Sequence, residues 1–525
     1  MRLERHEGLT AFSLQLCLLL VASLLACATA DSRPAAAGSN RREVAPAAGQ
    51  TPLLAGAAVE VITPDLSTGL PPVAVAGFGK GRDATGVHDD LYARALVLQA
   101  GKASVALVAL DLIGFFHDDI VKIRDDVRSR YPEVGVGSIL IASTHTHAGP
   151  DVIGLWSPPD RAVDAGYIGR IRTRAADAVA AAWRARRPAR LSFASADIPR
   201  LVQDSRLPTV VDATALLMKV DAENGQETIA TLLDFPSHPE SLGRDNTLIS
   251  SDYPWSARLR LEQEFGGVAL FFSGDIGGLL TPLGGDMIDP ETGEKLVPKT
   301  PRATEAYGRE VARQVVAAWR ATHGGHPPVS GSAAGASGAH PVPATDPTVA
   351  LLVRTRAVRV PLKNAMFVRG LAEGRIWPRL LAADGTLTSE VAVLTLFGES
   401  EDGAPHRAAT PGEVPEGTES LAQFACVPGE IYPELVLGGI QDPQDPAADI
   451  QGAPREKPLR SMMSGRYRFI LGLCNDELGY IIPRSEWDLD APFAYGLTEA
   501  QYGEAKSAGP DTAPTLLDAF AAILP

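Results

Sequence analysis

Two histidines, His145 and His147, lie one residue apart directly after a short apolar run at 138–144. On an extended backbone, side chains at positions i and i+2 point to the same side. Neutral imidazole is the commonest metal-ligating side chain, so this spacing allows both rings to approach one ion. The pair alone is weak evidence, because two surface histidines would show the same spacing. The apolar run before it and the Gly149-Pro150 turn after it favour a metal site.

Few other residues could complete such a site. The chain has 10 histidines, and besides this pair only His88, His117 and His238 fall outside the N-terminal segment and the polar, loop-like stretches. His238 is the strongest of these candidates, because it follows an apolar strand pattern and lies between a serine and a proline. An oxygen ligand would complete the set, and Glu430 in a Pro-Gly-Glu tripeptide follows another strand pattern. The same tripeptide at 411–413 lacks a preceding strand and is rejected.

The elements that must position these residues alternate along the chain. Short, β-branched, apolar runs and helical patterns alternate from about residue 55 to 320, and strand patterns dominate from 350 to 400. This order predicts an α/β fold with mixed β-sheets flanked by helices. Polar clusters follow five of the strand patterns, at 145–147, 237–240, Asp275, Glu430 and 476–480. Ligands of open α/β sheets bind beyond the carboxyl ends of strands, so we expect the metal site at these strand ends.

Composition excludes several classes of protein. Of 525 residues, 45% are apolar and 21% are charged, which is typical of a globular protein and not of a disordered chain or a coiled coil. Lys and Arg number 48 and Asp and Glu number 63, giving a formal net charge of −15. Nonspecific binding to nucleic acid requires clustered positive charge, so we expect no nucleic-acid partner.

The N-terminus has the pattern of an export signal. Arg2 and Arg5 precede an apolar stretch that ends in Leu-Leu-Ala before Cys27, which resembles a bacterial lipobox. We therefore predict a lipoprotein signal peptide at 1–26 and lipidation of Cys27; an ordinary signal peptide and a short membrane anchor are the alternatives. Residues 27–52 are rich in Ala, Ser, Pro and Arg and predict a flexible tether. The expected location is the bacterial cell envelope, on its periplasmic or cell-surface face.

The remaining chain, 53–525, is predicted to be one large domain. Two polar stretches, near 322–349 and 400–420, are expected to be insertions in it. Cys426 and Cys474 are the two cysteines of this domain. In an exported protein they could form a disulfide, but two buried free thiols fit the sequence equally well.

Several segments occur in the order found in one enzyme family. The most specific is Thr144–Pro150, similar to the motif THTHSGP. The others are Ala58–Pro64, Gly86–Ala95, Ser237–Pro239, Ile249–Pro254, Gly274–Asp275, Pro428–Glu430 and Gly472–Asn475. From about Ala55 onward the chain resembles the catalytic region of the neutral/alkaline ceramidases, zinc-dependent amidases that cleave the N-acyl bond of ceramide. The resemblance implies a ceramidase-like catalytic domain.

The resemblance also implies a ligand set and a chemistry. Zinc would be held by His145, His238, Glu430 and Tyr480. His147 is the alternative to His145; otherwise it would contact the bound water or the substrate carbonyl. His147 and Asp275 are the candidates for passing a proton to the leaving amine, although Asp275 could instead orient a ligand histidine. A zinc ion would lower the pKa of water from about 15.7 to about 7 and polarise the amide carbonyl.

The sequence departs from the family at three points. Gly277 occupies the position of the family's serine in Gly-Asp-Val-Ser-Pro, which excludes a covalent seryl mechanism at that position. Glu477 replaces the first tyrosine of the terminal segment. The 45 residues that follow Tyr480 are too few for the family's C-terminal immunoglobulin-like domain. These departures leave the identity of the substrate open.

The expected function is hydrolysis of an N-acyl amide, of ceramide or a related lipid, by an exported zinc enzyme attached to the membrane by its lipid anchor. One alternative is a zinc hydrolase with a different, non-ceramide substrate. The other is an envelope lipoprotein that binds a lipid without catalysis. Leu155, Trp156 and Pro158 could shape an apolar entrance, but core packing explains them as well.

Overall fold

The computed structural model describes residues 52–67, 71–282, 287–323, 350–399 and 418–524. All of them belong to one compact unit, residues 49–525. The predicted signal peptide, Cys27, the tether up to residue 51 and most of both polar insertions lie outside the described residues. Among the helices described, none is long and apolar enough to cross a membrane.

Eight longer strands form the larger sheet. In chain order they are β1 (Leu53–Val61), β2 (Tyr92–Ala100), β3 (Ala103–Leu110), β4 (Ser138–Ser143), β5 (Arg187–Asp197), β6 (Thr214–Ala222), β7 (Thr228–Phe235) and β8 (Val268–Ser273). Their order across the sheet is β8-β7-β6-β5-β1-β2-β3-β4. The β7–β8 and β3–β4 pairs are parallel, and all other neighbours are antiparallel. The sheet is therefore mixed, with one parallel pair at each edge.

Four further strands form a second sheet. They are β9 (Ala350–Pro361), β10 (Thr386–Glu399), β11 (Thr418–Cys426) and β12 (Tyr467–Leu471), and they follow one another in that order across the sheet. Only β11 and β12 are parallel in it. Short two-residue strands pair Gly86–Val87 with Leu248–Ile249, Gln203–Asp204 with Leu279–Leu280, Met287–Ile288 with Lys295–Leu296, and Glu430–Ile431 with Tyr480–Ile481.

The described part of the chain contains eight α-helices. They are α1 (His117–Arg130), α2 (Ala165–Arg184), α3 (Tyr253–Phe265), α4 (Pro301–His323), α5 (Ala365–Ala372), α6 (Pro433–Leu437), α7 (Leu459–Met462) and α8 (Thr512–Ile523). Helix α5 interrupts the region from 350 to 400 that the sequence pattern assigned mostly to strands. The side chain of Asn364 accepts hydrogen bonds from the backbone N–H groups of Met366 and Phe367, and this cap begins the helix.

The sheets and helices stack in four layers. The two sheets face each other across a core that includes Leu96, Leu107, Phe424 and Phe469. Helices α1 and α2 cover the outer face of the larger sheet near β2 and β3, and α3 and α4 cover it near β7 and β8. Helix α8 covers the outer face of the second sheet. The prediction of mixed β-sheets flanked by helices is thus confirmed.

The larger sheet also curls, which brings distant strand ends together. The guanidinium group of Arg94 on β2 donates a hydrogen bond of 3.0 Å to the carbonyl oxygen of Ala269 on β8. The Ser273 hydroxyl at the end of β8 donates to the carbonyl oxygen of Thr144, which follows β4 (2.7 Å). Gly472, directly after β12, donates its N–H to the carbonyl oxygen of Ser273 (2.8 Å). The carboxyl ends of β4, β8 and β12 therefore meet in one region.

Cys426 at the end of β11 and Cys474 are both buried, and both are free thiols. The Cys474 thiol has a raised pKa, because it is buried and because it lies beside Cys426. Of the two alternatives for this pair, the structure has the free thiols.

Glu434 on α6 is a buried carboxyl group whose two oxygens have no hydrogen-bond partner among the described residues. Burial, together with the negative charge of Glu486, raises its pKa to about 8. Its pKa in the unfolded chain is about 4.3. Ionisation of Glu434 therefore opposes folding progressively as the pH rises from about 4.3, and the full cost is reached above about 8.

We accordingly expect Glu434→Gln to raise the free energy of unfolding by about 2 kcal/mol at pH 9 and to change it little at pH 5. Urea denaturation at the two pH values measures both effects. Glu499→Gln, at an exposed glutamate, is the control and should be neutral at both. An equal gain at pH 5 and pH 9 would show that the charge of Glu434 is not the cause.

Candidate metal centre

His145 follows β4 in a strained backbone conformation. Its φ angle is +65°, in the left-handed region that non-glycine residues rarely occupy. The conformation is held by a hydrogen bond of 2.9 Å from the His145 N–H to the carbonyl oxygen of Leu112. Strain of this kind is concentrated at functional sites, where the surrounding structure maintains it. The turn directs the His145 ring towards the rings of His147 and His238.

These three imidazoles form a compact cluster. One ring nitrogen from each of His145, His147 and His238 lies within 4.8 Å of the others. The ring centroids are 4.9–5.5 Å apart. Two ligands at about 2.1 Å from a zinc ion are at most about 4.2 Å apart, so small side-chain shifts would bring all three nitrogens onto one ion. The structure thus brings the sequence-predicted histidines together in a group that could hold a metal.

Two of the three histidines have their tautomer fixed. Nδ1 of His145 donates to the carbonyl oxygen of Ile113 (2.6 Å), and Nδ1 of His238 donates to that of Leu279 (2.7 Å). A carbonyl oxygen only accepts, so in each ring Nδ1 carries a proton, and Nε2 is the atom that faces Glu430 and that a cation would bind. Ligating histidines are typically oriented by a hydrogen bond of this kind. His145 and His238 are therefore prepared as Nε2 ligands.

Glu430 supplies the carboxylate of the cluster. Its Oε2 atom lies 2.9 Å from Nε2 of His238 and 3.3 Å from Nε2 of His145. Burial alone would raise the pKa of Glu430, but the neighbouring charges and hydrogen bonds of the two histidines lower it below its ordinary value. The carboxylate is thus ionised and lies at the two nitrogens that could bind a cation.

Tyr480 lies on the opposite strand of the same short parallel pair, where it aligns with Glu430. Its hydroxyl oxygen is 3.4 Å from Nε2 of His238. Burial and the adjacent charge of Glu430 raise the pKa of Tyr480 well above its ordinary value. Among the described residues Tyr480 is thus a neutral donor to the cluster, and only a bound cation would favour its ionised form.

His147 differs from the two other histidines. Both of its ring nitrogens are inaccessible to solvent, and neither has a hydrogen-bond partner among the described residues. The His147 ring packs edge-on against the ring of Phe78. It also lies directly against Gly77, where a Cβ on the glycine would be 2.4 Å from the His147 ring. Burial, followed by the charges of His145 and His238, lowers the pKa of His147. His147 is therefore a neutral imidazole with free nitrogens at the site.

Asp275 is not brought to this cluster. Its carboxyl group is fully buried beside Asp212, which forms an ion pair of 2.6 Å with Arg460. Burial and the charge of Asp212 raise the pKa of Asp275 well above its ordinary value. Two carboxyl groups can share a hydrogen bond only when one of them is protonated. Carbonyl oxygens, and not Asp275, orient His145 and His238. No contact of Asp275 with the histidine cluster supports its predicted catalytic role among the described residues.

Gly277 is enclosed by backbone. A Cβ at this position would lie 2.6 Å from the carbonyl carbon of Ile431 and from the backbone nitrogen of Tyr432. Gly277 also donates its N–H to the carbonyl oxygen of Ile431 (2.9 Å). A serine cannot occupy this position without moving the strand that carries Glu430. Glycine at position 277 is therefore required by the backbone packed against it, next to the strand that carries Glu430.

The cluster lies in the wall of a cavity of about 610 Å³. One part of the cavity is apolar. Its walls include Phe116, Ile153, Phe367, Leu371, Ile376 and Leu387, which we call the apolar lobe. Leu155 and Trp156 also line the cavity, as the sequence suggested, whereas Pro158 does not. A cavity of this size is typical of small-molecule sites, and its apolar lobe suits an alkyl chain.

Three cavity residues were missed or underrated by sequence analysis. Glu477, predicted to lie in a polar cluster at a strand end but given no role, lines the cavity; its Oε1 accepts a hydrogen bond from the Gly479 N–H, and its Oε2 has no partner among the described residues. Arg379 stacks over Phe116 and pairs with Asp476 at 2.7 Å. Tyr502 packs edge-on against Tyr480. Arg379 and Tyr502 lie in stretches with no strand pattern, so no sequence signal marked them.

The fold and this site together define an α/β protein with a histidine cluster that could hold a metal ion at its strand ends, and the comparisons specify the fold further. The chain has the fold of neutral ceramidases. It matches the crystal structure of neutral ceramidase from Pseudomonas aeruginosa with a TM-score of 0.60 and 17% identity over 90% of this chain and 74% of that one. A ceramidase complexed with C2 matches with a TM-score of 0.60, 15% identity and the same coverage. No protein-family model and no curated protein sequence matches the chain.

Proposed function

We propose that this protein is a zinc-dependent amidohydrolase that cleaves an N-acyl amide bond of a lipid. The single observation that carries the proposal is the convergence of His145, His238 and Glu430 in the wall of a cavity with an apolar lobe. Imidazole nitrogen and carboxylate oxygen are the ligands of catalytic zinc sites, and cysteine-rich sets are typical of structural sites. The fold shared with neutral ceramidases supports the same class of reaction.

The donor set fits zinc. His145 and His238 present Nε2, Glu430 presents Oε2, and Tyr480 places its hydroxyl beside the same ring nitrogen. His145, His238 and Glu430 alone would leave a fourth position for water or substrate, and with Tyr480 bound as well that position would be a fifth. The chemistry that a bound zinc ion supplies is Lewis acidity, which activates water and polarises an amide carbonyl.

His147 is proposed as the proton-transfer residue. Unlike the two oriented histidines, it has no carbonyl partner, and both of its nitrogens are free to exchange a proton. It is neutral at pH 7 because of its burial, so it can accept a proton from the attacking water. The same nitrogen can then give the proton to the leaving amine, which cannot depart as an anion. The alkyl chain of the acyl group would lie in the apolar lobe meanwhile.

The proposed function is tested with two amides and one ester that share the same acyl chain. Purified protein reconstituted with zinc is incubated with N-dodecanoylethanolamine, N-dodecanoylsphingosine and dodecanoyl ethyl ester, and the products are identified by mass spectrometry. The proposal expects dodecanoate and free amine from at least one of the amides, and none after chelation. Release from the ester alone would assign the site to a different bond, and no release from any substrate would overturn the proposal.

A zinc hydrolase with a non-ceramide substrate is the second candidate. Two observations favour it: the enclosed Gly277 excludes the family's serine, and Glu477 places a buried carboxyl group with a free oxygen in the cavity. These polar differences change what the cavity can bind while the metal centre stays the same. In the assay above, hydrolysis of the ethanolamide but not of the sphingosine amide would favour this candidate. A lipoprotein that binds lipid without catalysis would give neither product.

We further propose that the protein is exported and anchored through a lipidated Cys27. The proposal rests on the sequence of residues 1–27. Attachment to the membrane would place the enzyme beside lipid substrates. Fractionation of expressing bacteria tests it: the wild-type protein should be in the membrane fraction, and Cys27→Ala should lose the acyl groups detected by mass spectrometry. An unmodified Cys27 in the mature wild-type protein would refute the anchor.

A charge in the apolar lobe should weaken binding of the alkyl chain. Leu371→Asp replaces a partly buried lobe residue on α5, and burying an alkyl chain against an ionised group costs about 2 kcal/mol or more. We expect kcat/KM for a dodecanoyl amide to fall about 30-fold, mainly through a higher KM. For the acetyl amide of the same amine, which has almost no alkyl chain, kcat/KM should change less than threefold. Val368→Asp on the exposed side of the same helix is the matched control. Equal losses for both chain lengths would place the alkyl chain elsewhere.

A further inference from the structure

The cavity has a second polar region besides the metal centre. Lys80, Arg244 and Lys506 all line it, and we call these three residues the cationic rim. Lys80 and Arg244 are exposed, and Lys506 is half-buried. No ion pair or side-chain hydrogen bond joins any of them to a carboxylate in the described part of the chain, although the protein has a formal net charge of −15. Three unpaired cations in the cavity of an acidic protein create a local positive potential.

The three cations come from segments that carry three groups of the metal centre. Lys80 follows Gly77 and Phe78, which pack against the ring of His147. Arg244 lies six residues after His238. The backbone carbonyl oxygen of Lys506 itself lies against Gly479, which precedes Tyr480. The rim therefore borders the metal centre on the side of His147, His238 and Tyr480.

The apolar lobe also borders the metal centre. Ile113, whose carbonyl oxygen orients His145, precedes Phe116 of the lobe. Leu478 next to the lobe donates its N–H to the carbonyl oxygen of Pro428, two residues before Glu430. The metal centre thus adjoins both a lobe that suits an alkyl chain and a rim that suits negative charge.

Other charged groups lie near the rim. Burial lowers the pKa of Lys506, and the charge of Lys80 lowers it further. Burial and the charge of Arg244 lower the pKa of Arg82 to about 10, and Arg82 is bonded only to backbone oxygens, including that of His147 (3.0 Å). The carboxyl group on this side is that of Glu240, which also lines the cavity. No ion pair or hydrogen bond joins it to any of the three cations in the described part of the chain.

We infer that the amine portion of the substrate carries an anionic group, a carboxylate or a phosphate, which the cationic rim binds while the acyl chain occupies the apolar lobe. The inference rests on the proposed amide hydrolysis and specifies its substrate class. An amide held across the metal centre directs its acyl chain to one side and its amine substituent to the other. Ceramide, whose amine portion is a neutral alcohol, would leave all three cations without a partner.

The inference is tested with three amides that share a dodecanoyl chain: N-dodecanoylglycine, N-dodecanoylethanolamine and O-phospho-N-dodecanoylethanolamine. We expect kcat/KM for at least one anionic amide to exceed that for the neutral amide by tenfold or more, and the ratio to fall in 0.5 M salt. The two anionic amides distinguish an amino-acid carboxylate from a phosphate. The dodecyl amide of succinic acid carries its carboxylate on the acyl side and should be a poor substrate.

A triple variant assigns the preference to the rim. Lys80→Gln/Arg244→Gln/Lys506→Gln should lower the anionic-to-neutral ratio to less than threefold while hydrolysis of the neutral amide persists. The control Lys102→Gln/Arg200→Gln/Lys457→Gln removes the same charge from exposed positions outside the cavity and should keep the ratio. Because a carboxylate could also bind zinc, the intrinsic tryptophan fluorescence, to which Trp156 in the cavity wall contributes, is titrated with the same amides in metal-free protein. The anionic amide should again bind at least tenfold more tightly.

The outcomes separate the two proposals. Hydrolysis of the neutral amide with no preference for an anionic one, or a preference that the triple variant leaves intact, would overturn the anionic substrate and leave amide hydrolysis standing. A preference for the succinic acid amide would reverse the assigned orientation and overturn the inference. Hydrolysis of none of the amides by zinc-loaded protein would overturn the proposed function and this inference with it.

Discussion

Replacing His238 by alanine is expected to abolish amide hydrolysis, with a loss in kcat/KM of at least 1,000-fold, and to reduce bound zinc to less than a tenth of an equivalent. His238 contributes one prepared Nε2 atom and also contacts both oxygen donors, Oε2 of Glu430 at 2.9 Å and the Tyr480 hydroxyl at 3.4 Å. Its removal therefore takes away one nitrogen donor and the contacts that this nitrogen makes with both oxygen donors. Without the ion, activation of water at neutral pH is lost.

The measurement combines zinc analysis of the purified variant with steady-state kinetics on the best amide substrate. His323→Ala is the matched control, because His323 stacks on Trp319 at the end of α4, away from the cavity; it should retain both zinc and turnover. Circular dichroism of both variants shows whether the fold is intact. A His238→Ala protein that keeps its zinc or hydrolyses the amide at the wild-type rate would contradict the assignment of this residue.

Replacing Asp111 by alanine is expected to lower the free energy of unfolding by about 3–5 kcal/mol, the largest effect on stability that we predict. Asp111 and Arg258 are both almost fully buried and form a bidentate ion pair, with N–O distances of 2.6 and 2.9 Å. Asp111 also accepts hydrogen bonds from the Thr144 hydroxyl and the backbone N–H of Tyr92. The variant leaves the Arg258 charge buried without its partner and loosens the turn that carries His145.

Urea denaturation measures this loss, and a double variant provides its control. Asp111→Leu/Arg258→Met removes both charges together, and a buried ion pair replaced by apolar side chains often costs little stability. We expect the double variant to recover at least half of the loss. If Asp111→Ala unfolds at the same urea concentration as the wild-type protein, the ion pair does not hold the end of β3 against α3. If the double variant is as unstable as the single one, packing and not the unpaired charge is the cause.

The sequence predicted the fold class because most elements have a clear apolar pattern. The central strands β2 and β3 are buried on both faces and consist of nearly continuous apolar residues. In contrast, β5 and β6 were not predicted, since Arg187–Asp197 mixes charged, serine and alanine residues, and Lys219 and Asp221, which pair with each other, interrupt the apolar run of β6. Tertiary contacts, which no local pattern contains, determine these two strands.

The order of the strands in the sheets could not be predicted from the sequence either. The contact between Ser273 and Thr144 joins strands at opposite edges of the larger sheet, and it depends on how the sheet curls. The turns that follow strands were easier to predict. His145, His238, Glu430 and Tyr480 were identified from motifs that follow strand patterns, and the structure brings all four together.

The same reasoning did not predict the surroundings of Asp275 or the rest of the cavity. Asp275 also follows a strand, but its side chain turns to Asp212 and Arg460, residues more than 60 positions away on either side. Lys80, Arg244 and Lys506 are unremarkable in sequence, because their significance lies only in facing one cavity together. Proximity of residues distant in sequence is the information that the structure adds.

The central claim, that the histidine cluster holds a zinc ion required for amide hydrolysis, is tested most directly by titrating metal-free protein with zinc. Bound metal and the rate of hydrolysis are followed in the same samples. The account predicts that both rise together and reach a plateau at one equivalent of zinc, and that His238→Ala shows neither rise. Full activity in the metal-free protein, or one tightly bound zinc that leaves every amide intact, would contradict it.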